Sequence, residues 1–268
     1  MPDSPPSRVA SYRRTVAAPI ERVWENVFDW EHLPWLHRRH FSRIERIDSG
    51  LWGWCARLDV QPATGRELLL ELVRKGDENR YVARTLEGPG AGTEIWTDLH
   101  PEGDVTRVEV AFHVPGVSSE QSAAIGGAFT KLYAELWDED EAMIVHRSRA
   151  LAARRASGGA GEAVLELGTL ATLHQRLPLC VEWAGLPYRI VASGDELICH
   201  AATCPHRLGP LDASEVVGGR IRCPWHGYEF DLRTGRSSDG RGFSLAPAPQ
   251  VEIDPATTQV RLISKITI

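Results

Sequence analysis

Long apolar runs are absent from this 268-residue sequence, and none approaches the ~20 residues that a membrane-spanning helix requires. The stretch "MPDSPPSRVASYRRT" lacks the apolar core that is typical of a signal peptide. From these two absences we expect a cytoplasmic protein with no membrane partner. The formal net charge of −6 gives no sign of a concentrated basic surface, so we also expect no nucleic-acid partner.

Cysteine is scarce, and the five cysteines are an odd number spread widely along the chain. This distribution does not suit a disulfide framework and favours metal binding. The rest of the composition is ordinary for a globular protein, with 43% hydrophobic and 25% charged residues. A chain of this length can bury two modest cores, so we expect two domains.

Sequence periodicity divides the first half of the chain into a strand, a helix, a group of strands and a second helix. Residues 9–16 are predicted to form a strand, and Pro19 then opens a helix with apolar residues at helical spacing. The second helix begins near Ser118 or Ser119 and runs past residue 145. Between the helices, six segments predict an antiparallel meander: "FSRIERID", "LWGWCARLDV", "ELLLELVRK", "RYVARTLE", "TEIWTDLH" and "TRVEVAFHV".

This order of elements resembles the helix-grip fold of the START and polyketide-cyclase superfamily, and "AAPIERVWENVFDWEHLPWL" is similar to its opening helix. The resemblance covers residues 8–150 and implies a sheet that wraps the long helix and leaves an apolar cavity. We therefore assign residues 1–150 to a helix-grip domain that is expected to be catalytic. Residues 151–163 are rich in Arg, Ala, Gly and Ser and are expected to form a linker.

The last part of the chain, residues 164–268, is expected to be a small all-β domain, which makes the fold class α+β. Six segments in it are predicted to be short strands: "AVLELG", "PLCVEWAG", "PYRIVAS", "ELICHA", "RIRCPWHGYEFD" and "QVRLISK".

Cys204, His206, Cys223 and His226 follow the pattern C-x-H, sixteen residues, C-x-x-H. Two cysteines and two histidines are the ligands of a Rieske [2Fe–2S] centre, in which the thiolates hold one iron and the imidazoles the other. A structural zinc site uses the same residue types and is the alternative, but ordinary zinc fingers have wider spacing. The flanks "HRLGPL" and "PWHGYEFDLRTG" resemble Rieske loops, which favours the [2Fe–2S] cluster.

The Rieske proteins of respiratory chains resemble this segment but carry a disulfide between the two loops and a serine that donates to a bridging sulfide. The matching positions here are Gly209, Trp225 and Tyr228. Loss of those hydrogen bonds destabilises the reduced cluster, so we expect a reduction potential in the low part of the Rieske range. The other three cysteines are expected to be buried structural thiols.

A second group of polar residues lies at the end of the first helix. The stretch "ENVFDWEHLPWLH" places Asp29, His32 and His37 in the pattern D-x2-H-x4-H. On a regular helix, residues five apart point about 140° away from each other, so the histidines converge only if the chain bends, and Pro34 supplies a reason for a bend.

Beside a Rieske domain, this pattern resembles the mononuclear iron site of the Rieske non-haem iron oxygenases, whose catalytic domain has a helix-grip fold. The resemblance implies that His32 and His37 bind Fe(II) and that the catalytic Asp29 connects this iron with a histidine of the cluster. The alternative is that these residues form only the polar rim of a hydrophobic ligand pocket.

The long second helix is expected to supply a third ligand. Its apolar stripe contains Phe129, Leu132, Tyr133, Leu136, Trp137 and Ile144. Asp140 continues this stripe, and a core-facing carboxylate is costly unless it is paired or binds a metal. The oxygenase family has its carboxylate ligand in a similar acidic stretch, and two histidines with one carboxylate form a facial triad that leaves positions open for O2. In the alternative, the stripe ends at Trp137 and Asp140 is solvated.

Taken together, the resemblance implies an O2-dependent oxygenase that hydroxylates or oxidatively demethylates an apolar or aromatic small molecule. The chain has no G-x-G-x-x-G motif after a strand, so we expect an external ferredoxin or flavin reductase to oxidise NAD(P)H and deliver the electrons. The domain order is the reverse of that in familiar oxygenases. The resemblance also suggests a head-to-tail homotrimer.

Two other functions are compatible with the same residues. A non-enzymatic Rieske-type electron-transfer protein fused to a hydrophobic-ligand-binding START-like domain would hold no second metal. A cyclase with a redox appendage would need acid and base groups inside the cavity, and the sequence does not show which side chains face inward.

Overall fold

A computed structural model describes residues 6–61, 67–76, 78–156 and 164–264 of the chain. The chain divides into two compact units, Met1–Val145 and His146–Ile268. None of the helices in the described part of the chain has the length and hydropathy that crossing a lipid bilayer requires.

The first unit is built on an antiparallel sheet. Its described strands are β1 (Ser7–Val16), β2 (Phe41–Gly50), β3 (Gly53–Val60), β4 (Glu67–Arg74), β5 (Arg80–Glu87), β6 (Glu94–Glu102) and β7 (Val105–Val114). Within these described residues the seven strands follow the order β1-β7-β6-β5-β4-β3-β2. The six consecutive strands β2 to β7 form the predicted meander, and β1 joins it by pairing with β7.

The helices of this unit are α1 (Ile20–Val27), a short 3-10 helix (Trp30–His32), α2 (Leu33–Leu36) and the long α3 (Ser119–Ala156), which continues into the second unit. Apolar side chains at helical spacing attach α1 to the core, where Val23 and Val27 are buried. Trp54 of β3 donates a hydrogen bond from Nε1 to the Val27 carbonyl at 3.0 Å, which secures the end of α1.

The sheet packs on α3 through aromatic contacts. Phe112 of β7 is fully buried, and its ring centroid lies 5.3 Å from that of Phe129 and 4.9 Å from that of Tyr133. A Cβ added at Gly126 of α3 would lie 2.6 Å from the Val9 carbonyl oxygen, so glycine is required where the helix approaches β1. The long helix and the sheet therefore share one core, as the helix-grip fold requires.

The second unit contains short strands and, after the end of α3, one short helix among its described residues. They are β8 (Val164–Thr169), α4 (Leu170–His174), β9 (Leu179–Trp183), β10 (Leu186–Ser193), β11 (Glu196–Ala201), β12 (Val216–Val217), β13 (Arg220–Arg222), β14 (Glu229–Asp231), β15 (Gln250–Ile253) and β16 (Gln259–Ile263). The described strands form three antiparallel sheets with the orders β11-β10-β9, β12-β13-β14 and β15-β16-β8. The predicted α+β fold class is confirmed.

Several details differ from the sequence-based expectations, among them α4, β12 and β15, which were not predicted. The segment "RIRCPWHGYEFD" is two strands, β13 and β14, because the loop with Cys223 and His226 interrupts the pairing. The helix α3 extends to Ala156 and so includes the first part of the predicted linker 151–163, whose remainder, 157–163, lies outside the described residues.

Cys180 is exposed rather than buried. It lies on the edge strand β9, where burial alternates along the strand, so Cys180 shares the outward face with Glu182. Cys55 and Cys199 are half-buried.

Candidate metal centres

Two changes of direction bring His32 and His37 together. The helix α1 ends at Val27, and Asp29 has non-helical dihedral angles (φ −91°, ψ 80°) before the 3-10 helix begins. Pro34 lies in the first turn of α2, which is flanked by His32 and His37. The two imidazole centroids are 5.1 Å apart, so the bend that the sequence analysis required is present.

Asp140 of α3 lies beside both histidines. Its Oδ1 atom is 3.1 Å from Nε2 of His37 and 3.4 Å from Nε2 of His32. The Asp140 side chain is 13% exposed, so the apolar stripe of α3 does continue to this residue. One ligand atom from each of the three residues lies within 4.8 Å of the others, a spacing that could accommodate a metal ion. Two imidazoles and a carboxylate are a donor set that suits Fe(II).

The charges at this site are strongly coupled. Burial alone would lower the pKa of His37, but the carboxylates of Asp140 and Glu139 raise it above its ordinary value. Burial alone would raise the pKa of Asp140, but His37 and His32 lower it far below its ordinary value. Asp140 is therefore ionised at neutral pH, the state in which a carboxylate binds a metal.

Two further side chains contact the three residues. Asn26 of α1 donates from Nδ2 to Asp140 Oδ1 at 2.9 Å, and Glu139 Oε2 lies 2.8 Å from Nδ1 of His37. The sequence analysis assigned no role to either residue. The only signal for Glu139 was its position next to Asp140 in the acidic run of α3.

A cavity of about 130 Å³ opens beside these residues in the first unit. Asp29, His32 and His37 are buried in its wall, and Asp140 also lines it. The rest of the wall is mainly apolar and aromatic, and includes Trp54, Leu70, Leu72, Tyr81, Tyr133 and Trp137. The expected apolar cavity is thus present, with the polar cluster on its surface.

The second candidate centre lies on two loops of the second unit. Each loop begins with a cysteine and is closed by two backbone hydrogen bonds of the same pattern. In the first loop the Cys204 N–H donates to the Gly209 carbonyl at 2.8 Å, and the Leu208 N–H donates to the Cys204 carbonyl at 3.1 Å. In the second, the Cys223 N–H donates to the Tyr228 carbonyl at 2.8 Å, and the Gly227 N–H donates to the Cys223 carbonyl at 3.0 Å.

The four predicted cluster residues are brought together by these loops. The imidazole centroids of His206 and His226 are 4.6 Å apart, and both cysteines are buried. The Cys204 thiol donates a hydrogen bond to Cys223 and lowers the pKa of Cys223 below its ordinary value, and the thiolate is the form that binds metal. The donor set and its burial therefore fit an iron–sulfur cluster.

The zinc alternative requires four ligand atoms around one ion. Across the described residues, the only group of three or more such ligand atoms within 4.8 Å of one another is His32, His37 and Asp140. Two cysteines and two histidines suit either a zinc ion or a [2Fe–2S] cluster, so the sequences of the loops decide between them.

Trp225 of the second loop packs against Gly209 of the first. A Cβ built at Gly209 would lie 3.1 Å from the Trp225 ring and 2.7 Å from Sγ of Cys223. Tyr228 stacks on His206 with ring centroids 4.4 Å apart. Aromatic packing therefore joins the two loops.

Residues 164–247 match the family of Rieske [2Fe-2S] domains. The second unit carries a Rieske domain. This domain implies a [2Fe–2S] cluster, and the four predicted cluster residues lie within the matched range. The Rieske domain follows a unit in which an antiparallel sheet packs on a long helix, as the sequence analysis expected.

Several curated proteins are similar to short parts of the chain. Apoptosis-inducing factor 3 of Homo sapiens is 40% identical over 58 residues, which are 22% of this chain and 10% of that protein. The methylxanthine N1-demethylase NdmA of Pseudomonas putida is 33% identical over 54 residues, which are 20% of this chain and 15% of that protein. The oxygenase component of dicamba O-demethylase from Stenotrophomonas maltophilia is 54% identical over 28 residues, 10% of this chain and 8% of that protein. The matches thus span only about a tenth of these relatives.

Two solved structures are each similar to part of the chain. A START superfamily protein from Mycobacterium smegmatis aligns with 52% of this chain and 97% of its own, at 20% identity and a TM-score of 0.42. The ferredoxin of carbazole 1,9a-dioxygenase from Nocardioides aromaticivorans IC177 aligns with 39% of this chain and 100% of its own, at 24% identity and a TM-score of 0.34.

Proposed function

We propose that this protein is an O2-dependent oxygenase that hydroxylates or oxidatively demethylates an apolar or aromatic small molecule. The observation that carries the proposal is the grouping of His32, His37 and Asp140 on the wall of an apolar cavity. A Rieske domain in the same chain provides the electron-transfer capacity that such an enzyme needs. Neither feature alone would support an oxygenase.

The proposal assigns a role to each predicted residue. Cys204 and Cys223 hold one iron of the cluster, and His206 and His226 hold the other. His32, His37 and Asp140 hold Fe(II), and Asp29 connects this site with the cluster. When bound, the cluster supplies single electrons and the mononuclear iron supplies the binding and activation of O2.

The protein's own side chains supply the environment of the reaction. Asp140 contributes a negative charge that its neighbours keep ionised. The apolar wall, in particular Trp54, Tyr81 and Trp137, excludes water and receives an apolar substrate by burying its surface. The cavity has a volume of about 130 Å³, so in this conformation it accommodates only a small substrate.

The comparisons support the proposal in part. Two relatives are named as demethylases, one of methylxanthine and one of dicamba, which agrees with oxidative demethylation. The matched segments cover only the Rieske domain, so the catalytic assignment depends on the geometry of the first unit. An external ferredoxin or flavin reductase that oxidises NAD(P)H is the proposed electron donor.

The ratio of iron to acid-labile sulfide tests the second metal. The protein would be purified anaerobically, supplied with Fe(II) and freed of loosely bound metal. We expect about three irons for two sulfides in the native protein and about two irons for two sulfides in His37→Ala. His40→Ala is the matched control, because His40 contacts Glu135 outside the cavity and should leave the ratio unchanged.

The same variants test turnover. His37→Ala should keep the Rieske absorption spectrum and lose substrate oxidation, whereas His40→Ala should keep both. A native iron-to-sulfide ratio near one would overturn the oxygenase proposal. The protein would then be better described as a Rieske-type electron-transfer protein fused to a domain that binds a hydrophobic ligand.

A further inference from the structure

We propose that Glu139 is a positioning residue of the mononuclear centre, which holds His37 by its Nδ1 atom so that Nε2 is presented to the metal. This inference rests on the proposed function, because it assumes that His37 is a metal ligand. It assigns a role to a residue outside the predicted ligand set.

The contact between Glu139 and His37 is short, and His37 is almost inaccessible to solvent. Glu139 Oε2 is 2.8 Å from His37 Nδ1, and the His37 side chain is 1% exposed. The other ring nitrogen, Nε2, is 3.1 Å from Asp140 Oδ1. One imidazole therefore contacts two consecutive residues of α3, one through each nitrogen.

The arrangement follows from helix geometry. Consecutive residues of an α-helix point about 100° apart, so two carboxylates next to each other in sequence leave the helix in different directions. Asp140 projects toward the cavity and meets the Nε2 edge of the ring. The longer side chain of Glu139, which is 32% exposed, extends to the Nδ1 edge.

This geometry leaves one ring nitrogen for a metal. Carboxylate oxygens accept hydrogen bonds, so the Nδ1–H group of His37 donates to Glu139 and fixes the orientation of the ring. The other nitrogen, Nε2, is then directed toward Asp140 and His32, where a bound metal would take the place of the contact with Asp140. Histidine ligands commonly have such a carboxylate partner, and its loss typically weakens metal binding by about 10- to 100-fold.

The same helix provides a matched control. Glu135, one turn before Glu139, contacts His40 at 3.0 Å between Oε2 and Nε2. This pair also joins a glutamate of α3 to a histidine of the segment after α2, but neither residue lines the cavity. If the carboxylate–histidine pairs serve only to attach that segment to α3, replacing either glutamate should affect metal binding equally.

The experiment is calorimetric titration with Co(II), as a probe for Fe(II), into the full chain with its cluster intact and its mononuclear metal removed. We expect Glu139→Ala to weaken binding by about 10- to 100-fold, and Glu139→Gln, which keeps an acceptor oxygen, to weaken it less. Glu135→Ala should bind as the native protein does. His37→Ala should lose the binding.

The outcomes separate this inference from the function on which it rests. The positioning role is overturned if both Glu139 variants bind Co(II) within about twofold of the native protein while His37→Ala does not bind. It is also overturned if Glu135→Ala weakens binding as much as Glu139→Ala. If the native protein does not bind Co(II), or if His37→Ala binds it normally, the proposed metal site fails and the role of Glu139 fails with it. Circular dichroism checks that each variant is folded.

Discussion

Replacing Gly209 with alanine should remove the cluster while leaving the metal-free fold largely intact. The added Cβ would lie 2.7 Å from Cys223 Sγ and 3.1 Å from the Trp225 ring, whereas non-bonded heavy atoms are most stable at about 3.5–4.0 Å. In the metal-free protein, the Cys223 side chain can rotate away from the new methyl group. In the loaded protein, the same sulfur is bound to iron and cannot move.

The energetic cost therefore falls mainly on the loaded form. Inserting one methyl group into a well-packed site costs about 1–3 kcal/mol, which corresponds to a roughly 5- to 150-fold loss in an equilibrium constant. Without the cluster, we expect Gly209→Ala to melt at a temperature similar to that of the native protein. We expect the variant to bind the cluster much more weakly.

The assay is reconstitution with iron and sulfide, followed by measurement of acid-labile sulfide and of the rate at which a chelator removes the iron. Gly127→Ala is the control, because a Cβ at Gly127 meets no atom within 4 Å. The reasoning is refuted if Gly209→Ala holds the native amount of sulfide and loses iron no faster than the control variant.

Three other predictions concern the cluster, the core and one surface carboxylate. The reduction potential should lie near the lower end of the Rieske range of about −150 to +300 mV. The reason is that Gly209, Trp225 and Tyr228 stand at the positions where respiratory-chain Rieske proteins have two disulfide-forming cysteines and a serine. A clearly positive potential in a redox titration would contradict this. Phe112→Ala should lower the free energy of unfolding of the first unit by about 3–5 kcal/mol, because Phe112 is fully buried against two aromatic rings of α3. Denaturant unfolding measures this change. A loss below about 1 kcal/mol would show that other contacts hold α3 in place. Hydrogen bonds from Arg222 and Ser238 lower the pKa of Glu229 from 4.5 to about 2, so Glu229 stabilises the fold above pH 4.5 and this stabilisation is lost as the pH falls toward about 2. Over that range the stability of Glu229→Gln should fall by up to about 1 kcal/mol less than the stability of the native protein. Thermal melts measure the difference, and identical pH profiles would show that these contacts contribute nothing to stability.

Much of the fold could be predicted because local patterns encode it. The alternating segments from Phe41 to Val114 became the strands of the meander, and the stripe on α3 faces the sheet. The two cluster loops were recognisable because the spacing of cysteine and histidine within each loop is set by the chemistry of its ligands. The exposure of Cys180 was not predicted, because it depends on which strand lies at the edge of a sheet.

The candidate iron site could be predicted only in part from local sequence patterns. The sequence by itself determined that Asp29, His32 and His37 follow one helix and that Asp140 continues an apolar stripe, because these are relations between neighbours in the chain. Only the tertiary structure decided that Asp140 meets both histidines and that Glu139 meets Nδ1 of His37, a residue 102 positions away. Those contacts depend on how far α3 is rotated about its axis and where the chain bends after α1, and both are set by packing across the whole core rather than by any single segment.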